Sequence, residues 1–440
     1  MGSVLRRAGV VAVGAGALLA ATATTSGAGA AETTARLSVT SAEQQANGSS
    51  FRPSVSGDGR RVAFESYARN LGADGSPARP RLLVRDRDAG TTRPVDLTPG
   101  GQPSQGQSYE AKISRNGRFV LFSSNGADLV PGDTNGRNDA FVRDLRSGTT
   151  VRASLRSNGQ QISGNESFPR AISADGRFVV FDSSARVVSP GGVRGVLVRD
   201  LRQGTTTLAS VATGGANTNG NSEGTSISGD GRFVGFTSSA SNLVPNDMND
   251  SGDAFVRDLR GSRTTRVSVG AGGAPANGDS FLPFVSGDGN IVAFHSEATN
   301  LVTGDTNGRT DVFVRDLKAG TTTRVSVAAG GGQGDGHSRA SGISADGRRV
   351  LFLSDATNLV PGDSNGVQDA FVYDRVSKRT TRVTVTASGG QSNGFSNLPA
   401  ISADGRTVVF ESEATNLPPV PDTNGAYDVF ARTLAGGGTR

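Results

Sequence analysis

A ten-residue segment recurs seven times along this chain of 440 residues, at nearly constant spacing. Each copy has Ile or Val, then Ser, a turn-forming stretch with Gly, and a run that ends in Phe, as in VSGDGNIVAF at 285–294. The serines of successive copies are 55 to 59 residues apart: Ser56, Ser114, Ser173, Ser228, Ser286, Ser344 and Ser402. This regularity indicates one structural unit repeated seven times.

Each unit contains four short runs typical of β-strands and no segment with helical periodicity. In the fifth unit the runs are FLPFVS, NIVAFHS, DVFVRDL and TTTRVSV. Between the first two, the stretch from Ser286 to Gly289 predicts a tight hairpin, because Asp288 can accept a hydrogen bond from the backbone two residues on and Gly289 tolerates positive φ. The second run is apolar on both faces, as at 178–181, so we expect neighbouring sheets to cover it.

Seven four-stranded units with buried faces favour an all-β, seven-bladed β-propeller of antiparallel blades. The seventh unit stops at DVFARTLAGGGTR before a fourth run, whereas TTARLSV at 33–39 precedes the first unit and matches TTTRVSV. We therefore predict that the N-terminal strand completes the last blade. Closing the ring in this way removes two open sheet edges, which a linear solenoid would have to cap.

The repeated pattern S-x-D-G-x-x-[VI]-x-F, followed by a D-x-F-x-x-D strand, resembles the TolB-like, WD40-like propeller repeat over residues 33–440. The resemblance implies the architecture only, since such propellers host many functions. Related propellers include peptidases with an attached hydrolase domain and lyases with several histidines around a metal. Seven units leave no room for the former within this chain, and a total of two histidines argues against the latter.

Residues 1–30 predict a secretory signal peptide, with Arg6 and Arg7, a short apolar stretch and a small-residue exit at 28–30. A retained membrane anchor is the alternative. We expect residues 31–440 to form the propeller, without a membrane span, in a secreted or cell-envelope protein. The chain lacks cysteine, which excludes disulfides and thiolate sites. Its 45 bases and 40 acids are evenly spread, unlike the basic footprint of a nucleic-acid binder.

One face of the propeller is predicted to carry almost all the long loops. The first and third connections of each unit are tight, whereas the second connection and the link between units, such as 296–310 and 271–280, are long. Loops on a rigid scaffold carry function, so this face is the expected surface for a protein, peptide or glycan. The links also share a serine, for which we predict a turn or strand-start hydrogen bond: Ser50, Ser108, Ser167, Ser222, Ser280, Ser338 and Ser396.

Five of the long loops contain the pattern Asp-x-Asn, followed by Asp at the start of the third strand. Asp133, Asn135 and Asp139 match ligand places of a calcium EF loop, but Pro131 and Val142 stand where two carboxylates are needed. Calcium is the candidate cofactor, with a weak affinity of about 10⁻⁴ to 10⁻³ M and a role in ordering loops. The alternative is an Asx-type turn that needs no metal. The candidate metal ligands are Asp133, Asn135, Asp139, Asp247, Asn249, Asp253, Asp305, Asn307, Asp311, Asp363, Asn365, Asp369, Asp422, Asn424 and Asp428.

Catalytic signals are weak in this sequence. GNSEG at 220–224 matches a nucleophile motif, but no helix follows, and we interpret Ser222 as the serine of the fourth link. Glu65, Asp182 and Glu411 end second strands and are candidates for paired carboxylates at the channel mouth. Other residue types stand at the equivalent positions, so we assign no catalytic residue.

The sequence thus favours a secreted, non-enzymatic binding scaffold. The alternatives are an extracellular glycan hydrolase or lyase with carboxylates at the channel mouth, and a purely structural envelope protein.

Overall fold

The computed structural model contains seven four-stranded antiparallel sheets, as predicted. It describes residues 32–72, 79–162, 166–186, 191–417, 420 and 422–435. The predicted signal peptide lies outside the described residues, as do parts of the 72–81 and 189–196 loops. The signal peptide and the boundary at residue 31 therefore stay predictions. Among the described residues, no helix has the length and apolar character needed to cross a membrane.

The blades, numbered 1 to 7 along the chain, follow a single strand that precedes them. Apart from a short 3₁₀ helix at Ala271–Gly273, all the regular structure described is β. In chain order the strands are β1 (Thr33–Arg36); β2 (Ser50–Val55), β3 (Arg61–Ser66), β4 (Arg81–Asp86) and β5 (Thr91–Pro94) in blade 1; β6 (Ser108–Ile113), β7 (Phe119–Ser124), β8 (Asp139–Asp144) and β9 (Thr149–Arg152) in blade 2; β10 (Ser167–Ile172), β11 (Phe178–Ser183), β12 (Gly195–Asp200) and β13 (Thr205–Leu208) in blade 3; β14 (Ser222–Ile227), β15 (Phe233–Ser238), β16 (Asp253–Asp258) and β17 (Arg263–Arg266) in blade 4; β18 (Ser280–Val285), β19 (Ile291–Ser296), β20 (Asp311–Asp316) and β21 (Thr321–Arg324) in blade 5; β22 (Ser338–Ile343), β23 (Arg349–Ser354), β24 (Asp369–Asp374) and β25 (Arg379–Arg382) in blade 6; and β26 (Ser396–Ile401), β27 (Thr407–Ser412) and β28 (Asp428–Thr433) in blade 7.

The N-terminal strand closes the ring. β1 pairs antiparallel with β28, with Thr33 opposite Thr433 and Arg36 opposite Phe430, so that blade 7 has the order β1-β28-β27-β26. The predicted closure of the propeller by its N-terminal strand is confirmed.

The hydrophobic core consists of seven clusters, one at each interface between neighbouring blades. The cluster between blades 7 and 1 joins Val409 and Val429 to Val62 and Phe64. In five blades the second and third strands contribute a stacked pair of buried phenylalanines, such as Phe294 and Phe313 at 5.8 Å between ring centroids. Burial on both faces of the second strand is therefore as the sequence predicts.

The predicted hairpin between the first two strands of each blade is also confirmed. In blade 5 the hydroxyl of Ser286 donates to Asp288 at 2.6 Å, and the same carboxylate accepts the N–H of Asn290 at 3.0 Å. Gly289 has a φ of 81°, the conformation that its position in the turn requires.

A closed ring of backbone hydrogen bonds joins these first turns around the central axis. The N–H of Gly57 donates to the carbonyl of Arg115 at 2.8 Å, and equivalent bonds continue from blade to blade until Asp404 donates to the carbonyl of Gly57 at 3.1 Å. A Cβ on Gly57 would lie 2.8 Å from the carbonyl of Arg115, which explains the small residue there. The ring narrows the channel at the tight-turn face, opposite the long loops.

Candidate functional site

The innermost strands of all seven blades line a central channel that widens towards the loop-rich face. Its mouth is a cavity of about 460 Å³. Blades 1 to 4 line it with charged side chains: Arg52, Glu110, Lys112, Arg170 and Glu223. Blades 5 to 7 line it mainly with apolar ones: Leu282, Phe284, Leu353, Leu398 and Pro399. The mouth can therefore hold a ligand that has a polar side and an apolar side.

Four residues at the mouth have a left-handed backbone, although none is glycine. Their φ angles are 50° at Arg52, 57° at Glu110, 46° at Leu282 and 43° at Leu398. All four stand two residues after the link serine, within a β-bulge between the first and second strands of their blade. Such a conformation costs about 1 kcal/mol or more for each residue and is concentrated at functional sites.

Side chains from the preceding blade hold three of these bulges. The N–H of Arg52 donates to Oε2 of Glu411 at 2.7 Å, and that of Glu110 donates to Oε1 of Glu65 at 2.6 Å. The hydroxyl of Thr237 accepts the N–H of Leu282 at 3.1 Å. Asp182 makes the corresponding contact to the N–H of Gly224 at 2.9 Å.

The three candidate carboxylates of the sequence analysis are thus buried at blade interfaces and bound to backbone. Burial raises the pKa of Glu65, of Glu411 and of Asp182, the last to about 7, against the opposing effect of hydrogen bonds and arginines. Arg52 contacts Glu65 at 3.3 Å, and Arg170 contacts Asp182 at 2.6 Å. Their direct role is to position the residues that line the mouth.

An aromatic patch adjoins the mouth at the seam between blades 7, 1 and 2. The ring of Phe51 lies 5.5 Å from that of Tyr427 and meets Tyr67 edge-on at 6.3 Å. Tyr109 stands at the position of Phe51 in the next blade, and Tyr67 is 43% exposed. The repeat pattern does not predict this patch, although three of the four tyrosines in the chain belong to it.

In the five acidic loops, an arginine from the outermost strand contacts the two aspartates. In blade 5, Arg324 lies 3.1 Å from Asp305 and 3.5 Å from Asp311. Asn307 donates to Asp311 at 3.0 Å, so its amide nitrogen also faces the carboxylates. The structure brings the predicted residues of each loop together, with the same arginine position in every case: Arg36, Arg152, Arg266, Arg324 and Arg382.

The two blades without the acidic pattern also lack this arginine. Blade 1 has Pro94 in its place, with Arg81 at the third-strand position and Asp96 as its partner at 3.3 Å. Blade 3 has Gly195 and Leu208 at the two positions. The acidic pattern and the arginine are therefore absent from the same two blades. This joint absence is a signal in the sequence that the arginine, thirteen residues after the strand-starting aspartate, belongs to the loop.

The donor set of these loops fits an arginine better than a calcium ion. Within the described residues, no group of three or more Asp, Glu, His or Cys side chains is placed to hold a metal. A calcium ion would have to displace a guanidinium from between two carboxylates. Carboxamides fix the same loops to the links, as where the Asn300 amide donates to the carbonyl of Pro275 at 2.8 Å.

The link serines begin the innermost strands, and the hydroxyls of six of the seven make the predicted strand-start hydrogen bond among the described residues. Six pair with a serine at the end of the second strand, for example Ser280 with Ser296 at 2.9 Å. Ser222 makes the same bond to Ser238 at 2.8 Å and is 1% exposed, so it is placed as a structural serine. In blade 3, the hydroxyl of Ser167 is buried without a partner among the described atoms.

The two histidines lie in different environments. His295 is buried and stacks on Phe281 at 5.4 Å, and burial lowers its pKa to about 4. His337 lies in a link, where its Nδ1 accepts the N–H of Thr310 at 3.1 Å.

Comparison with solved structures confirms the β-propeller fold that the repeat resemblance implies. An oligogalacturonate lyase in complex with manganese matches with a TM-score of 0.54 at 12% identity, over 92% of this chain and 94% of the other. The β-propeller domain of the Trilobed protease from Pyrococcus furiosus gives 0.53 at 10% identity, over 89% and 96%. TolB from Acinetobacter baumannii gives 0.41 at 17% identity, over 74% of this chain and 63% of that TolB.

This chain therefore spans less than two thirds of the length of that TolB. No protein-family model matches the sequence, and the search of curated proteins gives no match. At these identities the comparisons show the β-propeller fold.

Proposed function

We propose that this protein is a secreted, non-enzymatic binding protein that holds a segment of a partner protein or peptide at the channel mouth. The observation that carries the proposal is the set of four strained bulges at the mouth. The four left-handed residues, Arg52, Glu110, Leu282 and Leu398, occupy one position of the repeat, and all of them line the same cavity. Strain that recurs at one site, held at Arg52 and Glu110 by buried carboxylates, supports a functional role for that site.

The lining supports a peptide segment as the ligand. Leu282 is 39% exposed and Leu398 is 44% exposed, so the mouth presents aliphatic side chains to solvent. Charged groups lie opposite, and tyrosines lie beside the mouth. Apolar anchors, tyrosines and arginine are the residues that dominate protein interfaces.

Selection from a displayed random-peptide library on the purified protein tests the proposal. We expect selected peptides to lose binding to Leu282→Asp and Leu398→Asp, with dissociation constants weaker by about tenfold or more. Val376→Asp is the matched control, because Val376 is 72% exposed but lies on a tight turn of the opposite face. Peptides that bind Leu282→Asp, Leu398→Asp and Val376→Asp with equal affinity would refute a site at the mouth.

A glycan hydrolase or lyase is the second candidate. The buried Asp182, whose pKa is raised to about 7, favours it, because a carboxyl group that titrates near neutrality can donate or accept a proton. One structural neighbour is an oligogalacturonate lyase, a likeness of fold alone. Incubation with oligogalacturonides, followed by detection of unsaturated products, tests this candidate. Products that form with the wild type and disappear with Asp182→Asn would support it over the binding role.

Calcium at the acidic loops is a secondary proposal. The binding role does not depend on it, because arginines and carboxamides already fix these loops. Binding would be weak, since the ion must compete with a resident guanidinium for the two carboxylates.

A further inference from the structure

The seven repeats allow equivalent positions in the inner part of the channel to be compared from blade to blade. Two residues before the repeat serine, six blades have uncharged residues, whereas blade 2 has Lys112. One residue after that serine, six blades have Gly or Ala, whereas blade 2 has Arg115. A single blade therefore adds two long cationic side chains at positions that are uncharged in the other six blades.

Lys112 has no hydrogen-bond or ion-pair partner among the described residues. No described residue accepts a hydrogen bond from its ammonium group, and no carboxylate oxygen lies within 4.0 Å of it. Burial lowers the pKa of Lys112, while Glu110 and Glu65 act from a distance in the opposite direction. An ammonium that is partly withdrawn from water and has no protein partner favours the binding of an anion beside it.

Arg115 reaches across the channel from blade 2. Its Nη1 atom lies 3.0 Å from the place that a Cβ on Gly287 would occupy, and 3.3 Å from that of Gly229. Gly229 and Gly287 belong to blades 4 and 5, so the guanidinium spans the tight-turn end. No described residue forms an ion pair with it.

The inner cavity between these side chains has a volume of about 200 Å³. Its described lining contains three cations, Lys112, Arg115 and Arg170, and no carboxylate. Arg170 is paired with Asp182, so the uncompensated charge comes from the other two. Thr225 also lines the cavity, and its hydroxyl is buried without a hydrogen-bond partner among the described atoms.

We propose that the inner channel is an oxyanion site, in which Lys112 and Arg115 bind a carboxylate or phosphate group. It adjoins the mouth cavity, with which it shares Lys112 and Arg170, so it would receive the anionic end of a ligand held by Leu282 and Leu398. That part of the proposal rests on the proposed binding role, whereas oxyanion binding does not. The competing explanation is that Arg115 only fills the tight-turn end of the channel and binds no anion.

The experiment uses the fact that the chain has three lysines, Lys112, Lys318 and Lys378. Protein labelled with ¹³C at lysine Cε gives three NMR signals, which single Lys→Met variants assign. Sodium phosphate and sodium acetate are titrated in separate experiments at constant ionic strength. A titration with sodium chloride is the reference. We expect saturable movement of the Lys112 signal only, because Lys318 and Lys378 lie exposed on turns of the opposite face.

Arg115→Ala is expected to weaken oxyanion binding by about tenfold or more, the effect of one charge-assisted hydrogen bond. The exposed Arg379→Ala is the matched control and keeps the wild-type affinity. A cooperative thermal melt like that of the wild type reports that Arg115→Ala is folded. A response of Lys112 to chloride as large as that to phosphate, or an unchanged affinity in Arg115→Ala, overturns the proposal.

Two acetylated tripeptides, one with a free C-terminal carboxylate and one amidated, distinguish the sources of the oxyanion. Movement of the Lys112 signal by the free acid alone assigns the site to a peptide terminus. Movement by phosphate or acetate but by neither peptide assigns it to a free ion. Leu282→Asp separates the two proposals, because it should abolish peptide binding and leave acetate binding intact.

Discussion

The hydroxyl of Ser38 donates a 2.6 Å hydrogen bond to Asp428, although the two residues are 390 positions apart. The same bond occurs within single blades, as between Ser326 and Asp311 in blade 5. The N-terminal segment therefore reproduces the contacts of an ordinary fourth strand in blade 7. Ring closure depends on this segment, since it also supplies Leu37 to the cluster between blades 7 and 1.

Deletion of residues 32–40 should open the ring. The edge of β28 becomes unpaired and Asp428 loses both Ser38 and Arg36, at a cost of about 3 kcal/mol or more in unfolding free energy. The exposed edge should also promote self-association. Chemical denaturation and size-exclusion chromatography measure the two effects. A synthetic peptide of residues 32–40 should restore stability, whereas a scrambled peptide should not; equal stability of the truncated and full-length chains would contradict closure.

The fold could be predicted because each of the seven repeats carries the same local sequence signals. Asp288 and Gly289 specify a hairpin from sequence alone, and a second strand that is apolar on both faces requires sheets on both sides. Comparison of the seven copies identified Ser222 as a structural serine for the same reason. The missing fourth run and the leading TTARLSV predicted the closure.

The site could be predicted only in part, because its contacts join residues that are far apart within a repeat or that lie in different blades. The position of Arg324 beside Asp305 follows from strand pairing, which places residues thirteen to nineteen positions apart together. The strain at Leu282 follows from a β-bulge. The burial of Glu65 follows from its contact with Glu110 in the next blade. Neither leaves a pattern within a single repeat.

Removal of a loop arginine should destabilise its blade and create calcium dependence. Arg324→Ala leaves Asp305 and Asp311 facing each other without a guanidinium, which should cost about 3 kcal/mol at neutral pH in the presence of chelator. Burial and Asp311 already raise the pKa of Asp305 above its value in the unfolded chain. Its contribution to stability is therefore present at acid pH and lost as the pH rises through the folded pKa, so the variant should recover at low pH.

Thermal melts with calcium and with chelator measure this effect. Calcium should raise the melting temperature of Arg324→Ala more than that of the wild type, because the competing cation has been removed. Arg309→Ala, an exposed change in the same loop, is the control and should behave as the wild type. Identical calcium responses of wild type and Arg324→Ala would count against a metal site in these loops.

The contact between Glu65 and the bulge of blade 2 should depend on an acceptor oxygen and not on charge. Glu65→Ala leaves the partly buried N–H of Glu110 without its partner and should lower the unfolding free energy by about 2 kcal/mol. Glu65→Gln retains an acceptor and should cost less than about 1 kcal/mol. Ser123→Ala, at the equivalent position of blade 2, is the control for the backbone site. Equal losses in Glu65→Ala and Glu65→Gln, measured by urea denaturation, would show that the charge itself matters.

His295 should make the protein sensitive to mild acid. Its folded pKa of about 4 lies below the unfolded value of 6.5, because the ring is buried and its Nδ1 has no partner among the described atoms. Its contribution to stability is thus present above pH 6.5 and lost as the pH falls towards 4, which amounts to about 2 kcal/mol between pH 7 and pH 5. His295→Leu, which introduces the residue of blade 6 at Leu353, should reduce the loss of unfolding free energy over this range by that amount. The partly exposed His337→Asn is the control and should follow the wild type, so parallel pH profiles for wild type and His295→Leu would place the acid sensitivity elsewhere.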